Sequence, residues 1–410
     1  MTDAPEAPHR LDPSGAAQHA ASRLLRDRCP AAAPVLLPGD VEAVAVTGHD
    51  ELKELLSHPE VAKNARHFTA LREGRTPEGW PLSVYATVEG MTTADGPDHR
   101  RLRGLVARSF TPRRVEGLRP QVELLTAELL DGLPEFTEPD GTVDLREHFA
   151  YPLPMNVICA LLGVDGASRD RLHQLFRVLL STDSAPEQIV EANRETAGVF
   201  ARVVAAHRAE PRDDLTSALV AARDEDGDRL SERELAGTLL LLTVAGHETT
   251  MSLVTNAVRA LCTHREQLEA VLAGAATWQA VVEETLRYDG PIGFFPFRYP
   301  TSDISLAGTV ITRGTPVLAG YLGAGRDPRA HGADADRFDV TRPPAAHLSF
   351  GHGAHFCIGA PLARMEAAIA LEALFARHPR LELAVRDEEL PPRPSLVGNS
   401  RSVLPVRLDG

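Results

Sequence analysis

The feature that most restricts the fold is a long, proline-free run that starts at Ser231 and keeps a helical period to about His264. Ser231 and Glu234 have the spacing of a capping box, which marks the start of a helix. A helix of about 33 residues is nearly three times the mean length, so we expect it to cross the whole molecule. Its most apolar part, Leu235 to Gly246, is too short to span a membrane.

Outside this helix, the pattern favours a single, mostly α domain over residues 1–410 with a smaller β region. Helical periodicity dominates from His99 to His264, and WQAVVEETLRY predicts a second helix that ends at Gly290. Residues 1 to about 35 are expected to form a loosely held arm. The Gly- and Pro-rich connection 66–98 is long enough to cover a functional site. Strand-like runs are EAVAV, FPFRYP, DISLAGTVI and TPVLAGYL.

Charge and cysteine content restrict the class of function. The chain has 57 acidic residues against 43 Lys and Arg, a net charge of −14, which argues against general nucleic-acid binding. No two of the four cysteines have CxxC spacing, so neither a disulfide framework nor a structural zinc site is expected. The chain shows no secretion signal and no membrane-spanning stretch. We therefore expect a cytoplasmic protein without a membrane anchor.

One cysteine lies in an unusual loop, Phe350-Gly-His-Gly-Ala-His-Phe-Cys357-Ile-Gly359. Its glycines, beginning with Gly351, let the backbone approach a bulky group closely. Cys357 comes directly before an Ala-rich helix, and the N–H groups at a helix N-terminus stabilise a thiolate. A thiolate in such a loop is suited to be an axial ligand of haem iron. The other cysteines are interpreted as inert.

Over most of its length the chain resembles the cytochrome P-450 superfamily, in particular its soluble actinobacterial-type members. The resemblance implies the cytochrome P-450 fold, a triangular helical prism with a long central helix and small β-sheets. It implies haem b as the cofactor, with Cys357 as its axial thiolate. The motifs that carry the resemblance are HRRLR at 99–103, AGHETT at 245–250, EETLR at 283–287, ADRFD at 335–339 and the cysteine loop.

The resemblance also implies which residues contact the haem. A buried haem requires cations or hydrogen-bond donors to compensate its propionates. His99 and Arg103, four apart on one helical face, match the family's HxxxR clamp, and Arg298 and His355 match the other two contacts. Gly246 would let the long helix pass close to the cofactor. The predicted haem-binding set is His99, Arg103, Ala245, Gly246, Arg298, Phe350, Gly351, His355, Cys357 and Gly359.

Two further motifs have roles by the same resemblance. Glu284, Arg287 and Arg337 correspond to a structural Glu-Arg-Arg network that supports the cysteine loop. Glu248 and Thr249 match the family's acid-alcohol pair, in which a hydroxyl backed by a carboxylate relays protons to iron-bound dioxygen. These two are the predicted catalytic residues. The neighbouring His247 is interpreted as packing or pocket lining rather than as an iron ligand.

The predicted activity is that of a haem-thiolate monooxygenase which hydroxylates a bulky hydrophobic molecule, such as a steroid, a macrolide or another polyketide. Electrons would come from a ferredoxin and its NAD(P)H-dependent ferredoxin reductase. Cyclisation, coupling or isomerisation at the same haem stays open, as does a non-catalytic ligand-binding or sensing protein. An apolar pocket lined by phenylalanine side chains is expected, although the same side chains equally suit packing in the hydrophobic core. The pocket candidates are Phe294, Phe295, Phe297 and Val397.

The segment RRLRGLVARSFTPRR, residues 100–114, contains six arginines and no acidic residue in a chain of net charge −14. By resemblance it borders the face where an acidic ferredoxin docks. Arg103 is assigned to a propionate. The candidates for exposed docking contacts are Arg100, Arg101, Arg108, Arg113 and Arg114, and a solvated cationic surface is the alternative.

Overall fold

The computed structural model describes residues 7–180, 185–223, 227–344 and 346–409. The described chain divides into two compact units. The first runs to Asp95 and includes Thr255–Cys357 and Val385–Val403, and the second contains Gly96–Val254, Ile358–Ala384 and the chain from Leu404 onward. A single domain over the whole chain therefore stays a prediction.

The described residues are mostly helical, as the periodicity predicts. No helix among them combines the length and apolarity that a membrane span requires. Short 3₁₀ turns occur at Ala65–His67, Leu133–Phe136, Gly353–His355 and Asp387–Glu389, with a π-turn at Arg146–Ala150. The α-helices, in chain order, are α1 (Gln18–Arg28), α2 (His49–Ser57), α3 (Thr69–Arg72), α4 (Ser83–Thr87), α5 (Gly96–Ser109), α6 (Pro112–Gly117), α7 (Arg119–Gly132), α8 (Pro152–Leu161), α9 (Gly166–Leu180), α10 (Pro186–Ala209), α11 (Leu215–Ala221), α12 (Glu232–Thr263), α13 (Arg265–Leu272), α14 (Trp278–Asp289), α15 (Tyr321–Gly325), α16 (Pro328–His331) and α17 (Ala360–Arg377).

The strands form small sheets. One sheet has the order β1-β2-β3-β9-β6-β4, a second the order β10-β11-β5, and β7 and β8 form a hairpin. Each run predicted as a strand corresponds to an observed one. The strands are β1 (His9–Arg10), β2 (Ala33–Leu37), β3 (Val41–Val46), β4 (Val61–Ala62), β5 (Val143–Asp144), β6 (Phe294–Pro300), β7 (Ile304–Leu306), β8 (Thr309–Ile311), β9 (Val317–Gly320), β10 (Glu382–Leu383) and β11 (Pro405–Arg407).

The N-terminal segment of the first unit is ordered, so the prediction of a loose arm is wrong from His9 onward. Residues 1–6 lie outside the described residues. In α1, Leu25 is fully buried, because the helix packs an apolar face on the sheet. The side-chain amide of Gln18 donates to the carbonyl oxygens of Ser395 and Gly398 at 2.7 and 2.8 Å. The segment is thus fastened to residues near the far end of the chain.

The long helix is confirmed as α12, with 32 residues. Its capping box is also as predicted: the N–H of Ser231 donates to Glu234 Oε2 at 2.8 Å, and the N–H of Glu234 donates to Ser231 Oγ at 3.3 Å. Most of α12 belongs to the second unit, and residues 255–263 belong to the first. The predicted second helix is α14, and it ends at Asp289 directly before Gly290.

Candidate functional site

The predicted axial ligand lies in a closely held loop of the first unit. Gly351 and Gly353 have φ of +76° and +71°, a left-handed backbone that favours glycine. A Cβ on Gly353 would lie 2.8 Å from the carbonyl oxygen of Leu56 in α2, which leaves no room for a side chain. The N–H of Cys357 donates to the carbonyl oxygen of Phe350 at 2.8 Å and closes the loop. Cys357 itself is exposed, so the loop leaves it accessible.

The other cysteines do not share these properties. Cys159 is 1% exposed in α8, and burial raises the pKa of its thiol to about 12. Cys29 and Cys262 are half-buried, and the Sγ atom of Cys29 lies 3.9 Å from the hydroxyl of Thr309. The thiolate role of Cys357 stays a prediction, and the loop geometry favours it over the other three.

A buried ion pair on α14 anchors the chain that leads to this loop. Glu284 and Arg287 are 5% and 2% exposed, and two hydrogen bonds of 2.7 Å join them. Arg287 also donates to the carbonyl oxygens of Gly325 and Ala335, both at 2.7 Å. The hydroxyl of Ser349 donates to the backbone carbonyl oxygen of Leu286, which connects α14 to the start of the loop.

The third arginine of this network is Arg342 rather than the predicted Arg337. Arg337 contributes its backbone carbonyl, which accepts from Arg287 at 2.9 Å, while its side chain is exposed. The Nε atom of Arg342 lies 3.8 Å from Glu284 Oε1, and its side chain is 11% exposed. Because the chain turns between the two arginines, the later one is directed at Glu284. The ADRFD motif contains only the first, so sequence reasoning missed Arg342.

The first unit also contains a buried guanidinium group that lacks an anion. Arg298 on β6 is 6% exposed and donates one long bond, 3.4 Å, to the carbonyl oxygen of Phe297. Among the described residues, no carboxylate oxygen lies within 4.0 Å of it. Burial lowers the pKa of Arg298, because desolvation disfavours the charged form. A buried cation of this kind suits a ligand that brings its own carboxylates, as haem does.

Tyr321 connects Arg298 to the cysteine loop within the same unit. Its hydroxyl oxygen lies 3.6 Å from the position that a Cβ atom would occupy on Gly351. Burial raises the pKa of Tyr321, while the charge of Arg298 opposes that rise and the charge of Cys357 adds to it. Arg298 and Cys357 therefore both lie within electrostatic reach of one phenol. The remaining predicted propionate contact of this unit is His355, which is half-buried in the 3₁₀ turn Gly353–His355.

The other predicted propionate contacts lie in the second unit, on α5. His99 is 4% exposed and Arg103 is half-buried. Their spacing of four places both on one face of the helix. Gly359 is the N-cap residue of α17. The contact of these residues with haem stays a prediction.

The predicted catalytic pair lies on α12, where one face is open. Ala245 is exposed, and Glu248 and Thr249 are half-buried. The hydroxyl of Thr249 donates to the carbonyl oxygen of Ala245 at 2.6 Å, a side-chain bond to the preceding turn that often bends helices. Ala245 and Thr249 are thus four apart on the same accessible face.

Gly246, which the sequence predicts to let α12 pass close to the cofactor, lies against a neighbouring helix. A Cβ on Gly246 would lie 2.9 Å from Cδ1 and 3.1 Å from Cγ1 of Ile158. The missing side chain therefore lets α12 pack closely against α8 within the second unit. The predicted approach of Gly246 to haem stays a prediction.

His247 packs in the second unit, which agrees with the interpretation made from its motif position. It is 0% exposed, and its Nε2 atom lies 3.0 Å from the carbonyl oxygen of Tyr151. The imidazole ring also meets the Tyr151 ring edge-on, with centroids 4.6 Å apart. These contacts hold His247 between helices.

The four predicted pocket residues do not share one environment. Phe294 and Phe297 are each 1% exposed, and the Phe297 ring stacks on Trp80 at 5.6 Å, so both match the core-packing alternative. Val397 is also buried, at 6% exposure. Phe295 is half-buried. Phe295 is thus the pocket candidate with a partly accessible ring.

The basic segment 100–114 is less available than its sequence predicts. Arg101 donates to Glu234, and Arg114 donates to the backbone carbonyl of Asp214, so both are committed within the second unit. The side chains of Arg101 and Arg114 are 29% and 26% exposed. The segment's exposed arginines are Arg100, Arg108 and Arg113.

Comparison with known proteins identifies relatives over nearly the whole chain. The family profile described as cytochrome P-450 matches residues 277–401. The 2-hydroxy-5-methyl-1-naphthoate 7-hydroxylase of Streptomyces carzinostaticus is 40% identical over 409 residues, 98% of each chain. The 6-deoxyerythronolide B hydroxylase of Saccharopolyspora erythraea is 40% identical over 392 residues, 94% of this chain and 95% of the relative. The structure of CYP154C4 from Streptomyces sp. W2061 matches with a TM-score of 0.92 and 43% identity, covering 98% of each chain.

These similarities confirm the predicted fold, since a mostly helical chain with small sheets matches a solved structure over nearly its full length. They also confirm the enzyme class, because the relatives are named hydroxylases. Family membership implies a haem-thiolate cofactor, a hydrophobic substrate, dioxygen and a redox partner. The chain belongs to the cytochrome P-450 family and is a monooxygenase.

Proposed function

We propose that this monooxygenase binds haem b through the thiolate of Cys357 and hydroxylates a bulky hydrophobic small molecule. The observation that carries the proposal is the combination, within one unit, of an accessible cysteine in a glycine loop and a buried arginine that has no carboxylate partner among the described residues. The cysteine provides the thiolate that iron requires, and Arg298 provides a charge that a propionate would neutralise. His99, Arg103 and His355 are the other proposed propionate contacts.

When bound, haem would supply an iron centre that activates dioxygen, and Cys357 would supply the thiolate that favours this chemistry. The proposed task of α12 is to deliver protons. The Thr249 hydroxyl hydrogen is engaged with the carbonyl of Ala245, which leaves the lone pairs of Oγ1 to accept a hydrogen bond from water. Glu248 is half-buried, so its carboxylate can exchange protons with solvent and pass them toward Thr249 Oγ1.

The proposed substrate is a steroid, a macrolide or another polyketide-like compound. Support comes from the relatives, two of which are named as hydroxylases of 2-hydroxy-5-methyl-1-naphthoate and of 6-deoxyerythronolide B. Within this chain, the partly accessible Phe295 offers an apolar contact.

The proposed electron donor is an acidic ferredoxin, itself reduced by an NAD(P)H-dependent ferredoxin reductase. Arg100, Arg108 and Arg113 are exposed on a chain whose net charge is −14. Clustered cations on an otherwise acidic protein steer an acidic partner to one place. Arg101 and Arg114 are left out of the proposed docking set because their side chains are less exposed, at 29% and 26%.

The iron ligand is tested by the absorption spectrum of the reduced protein with carbon monoxide. We expect the red-shifted Soret band of a thiolate haem, and we expect Cys357→Ser to lose that band. Cys262→Ser and Cys159→Ser serve as matched controls and should keep it. A band that survives Cys357→Ser and disappears in Cys262→Ser would contradict the assignment.

The reaction type is tested by product mass under ¹⁸O₂. A hydroxylase should place one heavy oxygen atom in the product. A product that contains no atom from dioxygen would instead indicate cyclisation, coupling or isomerisation.

A further inference from the structure

A second buried cation lies beside Arg298. Lys63 is 5% exposed, and it is one of only two lysines in the chain. Strand β4 pairs with β6 in an antiparallel register that places Val61 opposite Pro300 and Ala62 opposite Tyr299. Lys63 is the first residue after β4, and extending the register by one position places it opposite Arg298. The two residues are far apart in sequence, so no local motif reveals this juxtaposition.

The ammonium group of Lys63 has few contacts for a buried charge. Its Nζ atom lies 3.4 Å from the carbonyl oxygen of Pro296 and 5.1 Å from the centre of the Phe295 ring. Within the described ranges, no carboxylate oxygen lies within 4.0 Å of Nζ. The nearby Asp95 is already engaged, because its carboxylate accepts the backbone N–H groups of Lys63 and Asn64 at 2.8 and 2.9 Å.

Lys63 directly follows β4 and Arg298 lies on the neighbouring strand β6, and two buried cations placed in this way are a costly arrangement. Like charges directly opposite each other destabilise a strand pair, and burial removes the water that would screen them. Both effects act on Lys63: desolvation and the charge of Arg298 lower its pKa well below the ordinary value, and Asp95 opposes the shift only in part. An anion placed between the two side chains would offset the repulsion and supply the missing hydrogen-bond acceptors.

We propose that Lys63 and Arg298 together form a two-cation site for one carboxylate, and that this carboxylate is a haem propionate. The proposal rests on the proposed haem-binding function and adds a residue of this chain to it. A propionate is favoured over a substrate carboxylate because Tyr321 lies within electrostatic reach of both Arg298 and Cys357, which connects this site to the cysteine loop.

The test compares the rate of haem release from the wild-type holoenzyme with the rate from a variant that lacks the charge of Lys63. Lys63→Met keeps the length and the apolar stem, and Lys53→Met is the matched control, because Lys53 is exposed on α2. Transfer of haem to an excess of a haem-free acceptor protein gives the release rate. Charge-assisted hydrogen bonds of this kind correspond to a change of about 10- to 100-fold. We expect Lys63→Met to release haem faster by about that factor and Lys53→Met to behave as wild type.

Haem dimethyl ester, in which both carboxylates are blocked, shows whether the effect comes from the propionate. With the ester, wild type and Lys63→Met should release the cofactor at the same rate. An equal acceleration with haem and with its ester would overturn the proposal, because the lysine would then act through packing. An unchanged rate in Lys63→Met with native haem would overturn it as well. If Lys63→Met does not fold, Lys63→Gln carries the same comparison.

A substrate carboxylate is the competing source of the anion. Titration with 1-naphthoate and with its methyl ester, followed by the spin state of the ferric haem, separates the two. A Lys63→Met protein that retains haem normally but loses its preference for 1-naphthoate over the ester would overturn the propionate assignment. Failure of the proposed function has a different signature, namely a wild-type protein whose carbon monoxide complex lacks the thiolate band.

Discussion

Glu366 is a buried acid on α17 whose protonation links stability to pH. It is 2% exposed, and its Oε1 atom has no hydrogen-bond partner among the described residues. Burial raises the pKa of Glu366 to about 8 from an ordinary value of 4.5. Between these two values the folded chain holds a proton that the unfolded chain has released. Its contribution to stability is therefore complete below about pH 4.5 and is lost as the pH rises toward 8.

Glu366→Gln should remove this pH dependence, because the amide keeps the shape and carries no charge. We expect the variant to be more stable than wild type at pH 8, by up to a few kcal/mol, and the difference to shrink toward pH 5. Urea unfolding at both pH values measures it. Glu372→Gln, an exposed position on the same helix, should leave the profile unchanged. If the free energies of unfolding of wild type and Glu366→Gln changed with pH in the same way, Glu366 would be ionised in the folded protein.

Thr249 is the residue on which efficient use of electrons should depend. Without its hydroxyl, the proton delivery proposed for α12 would be interrupted, so Thr249→Ala should bind haem and substrate yet release reducing equivalents as peroxide. We expect the ratio of product to electrons consumed to fall by at least about tenfold. Thr243→Ala is the matched control, because its hydroxyl donates to the carbonyl of Leu239 at 2.8 Å in the same way but is buried. Equal ratios in the two variants would leave Thr249 with a packing role.

At the scale of elements, the close approach of α12 to α8 can be measured as an energetic coupling. Gly246→Ala adds a methyl group that meets Cδ1 of Ile158, and Ile158→Val removes that atom. Gly246→Ala should therefore be more favourable by about 1 kcal/mol in the Ile158→Val background than in wild type. Unfolding free energies of the four proteins give the coupling. Strict additivity would show that Gly246 faces something other than Ile158.

The elements with strong local signals were predictable, and the contacts between them were not. The capping box at Ser231, the absence of proline and the Gly290 breaker locate α12 and α14, because these signals act within a turn of helix. Which residue meets Gly246, or which arginine reaches Glu284, depends on the packing of distant segments. Composition predicted a loose arm where α1 in fact packs on the sheet. That prediction failed because apolar partners of Leu25 lie far along the chain.

The same limit applies to the candidate site. Cys357 could be found from its glycine loop and by resemblance, since the whole signal lies within ten residues. Lys63 could not, because its significance depends on the strand register that brings it opposite Arg298.

At the scale of the whole molecule, the charge distribution predicts how the electron donor finds the enzyme. Arg100→Glu together with Arg113→Glu should slow reduction by ferredoxin roughly tenfold at low salt, because steering of an acidic partner is lost. The effect should shrink as ionic strength rises, since the Debye length falls to about 8 Å at physiological salt. Stopped-flow reduction measures the rate.

Two controls accompany this measurement. Arg380→Glu reverses an exposed charge elsewhere on the second unit and should leave the rate unchanged. Turnover driven by peroxide needs no ferredoxin, so the double variant should retain it. An equal loss in both assays would indicate damage to folding or haem binding, and the docking proposal would then fail.

The hydrogen bonds from Gln18 to Ser395 and Gly398 also have a consequence for folding during synthesis, because Gln18 is translated long before its partners. The first of these bonds joins residues 377 positions apart. At a synthesis rate of about 5–20 residues per second, the finished α1 segment waits roughly 20 to 75 seconds for its partner to leave the ribosome. During that time its apolar face, with Leu25, has no completed sheet to cover it. We therefore expect the nascent chain to depend on chaperones until Ser395 and Gly398 emerge.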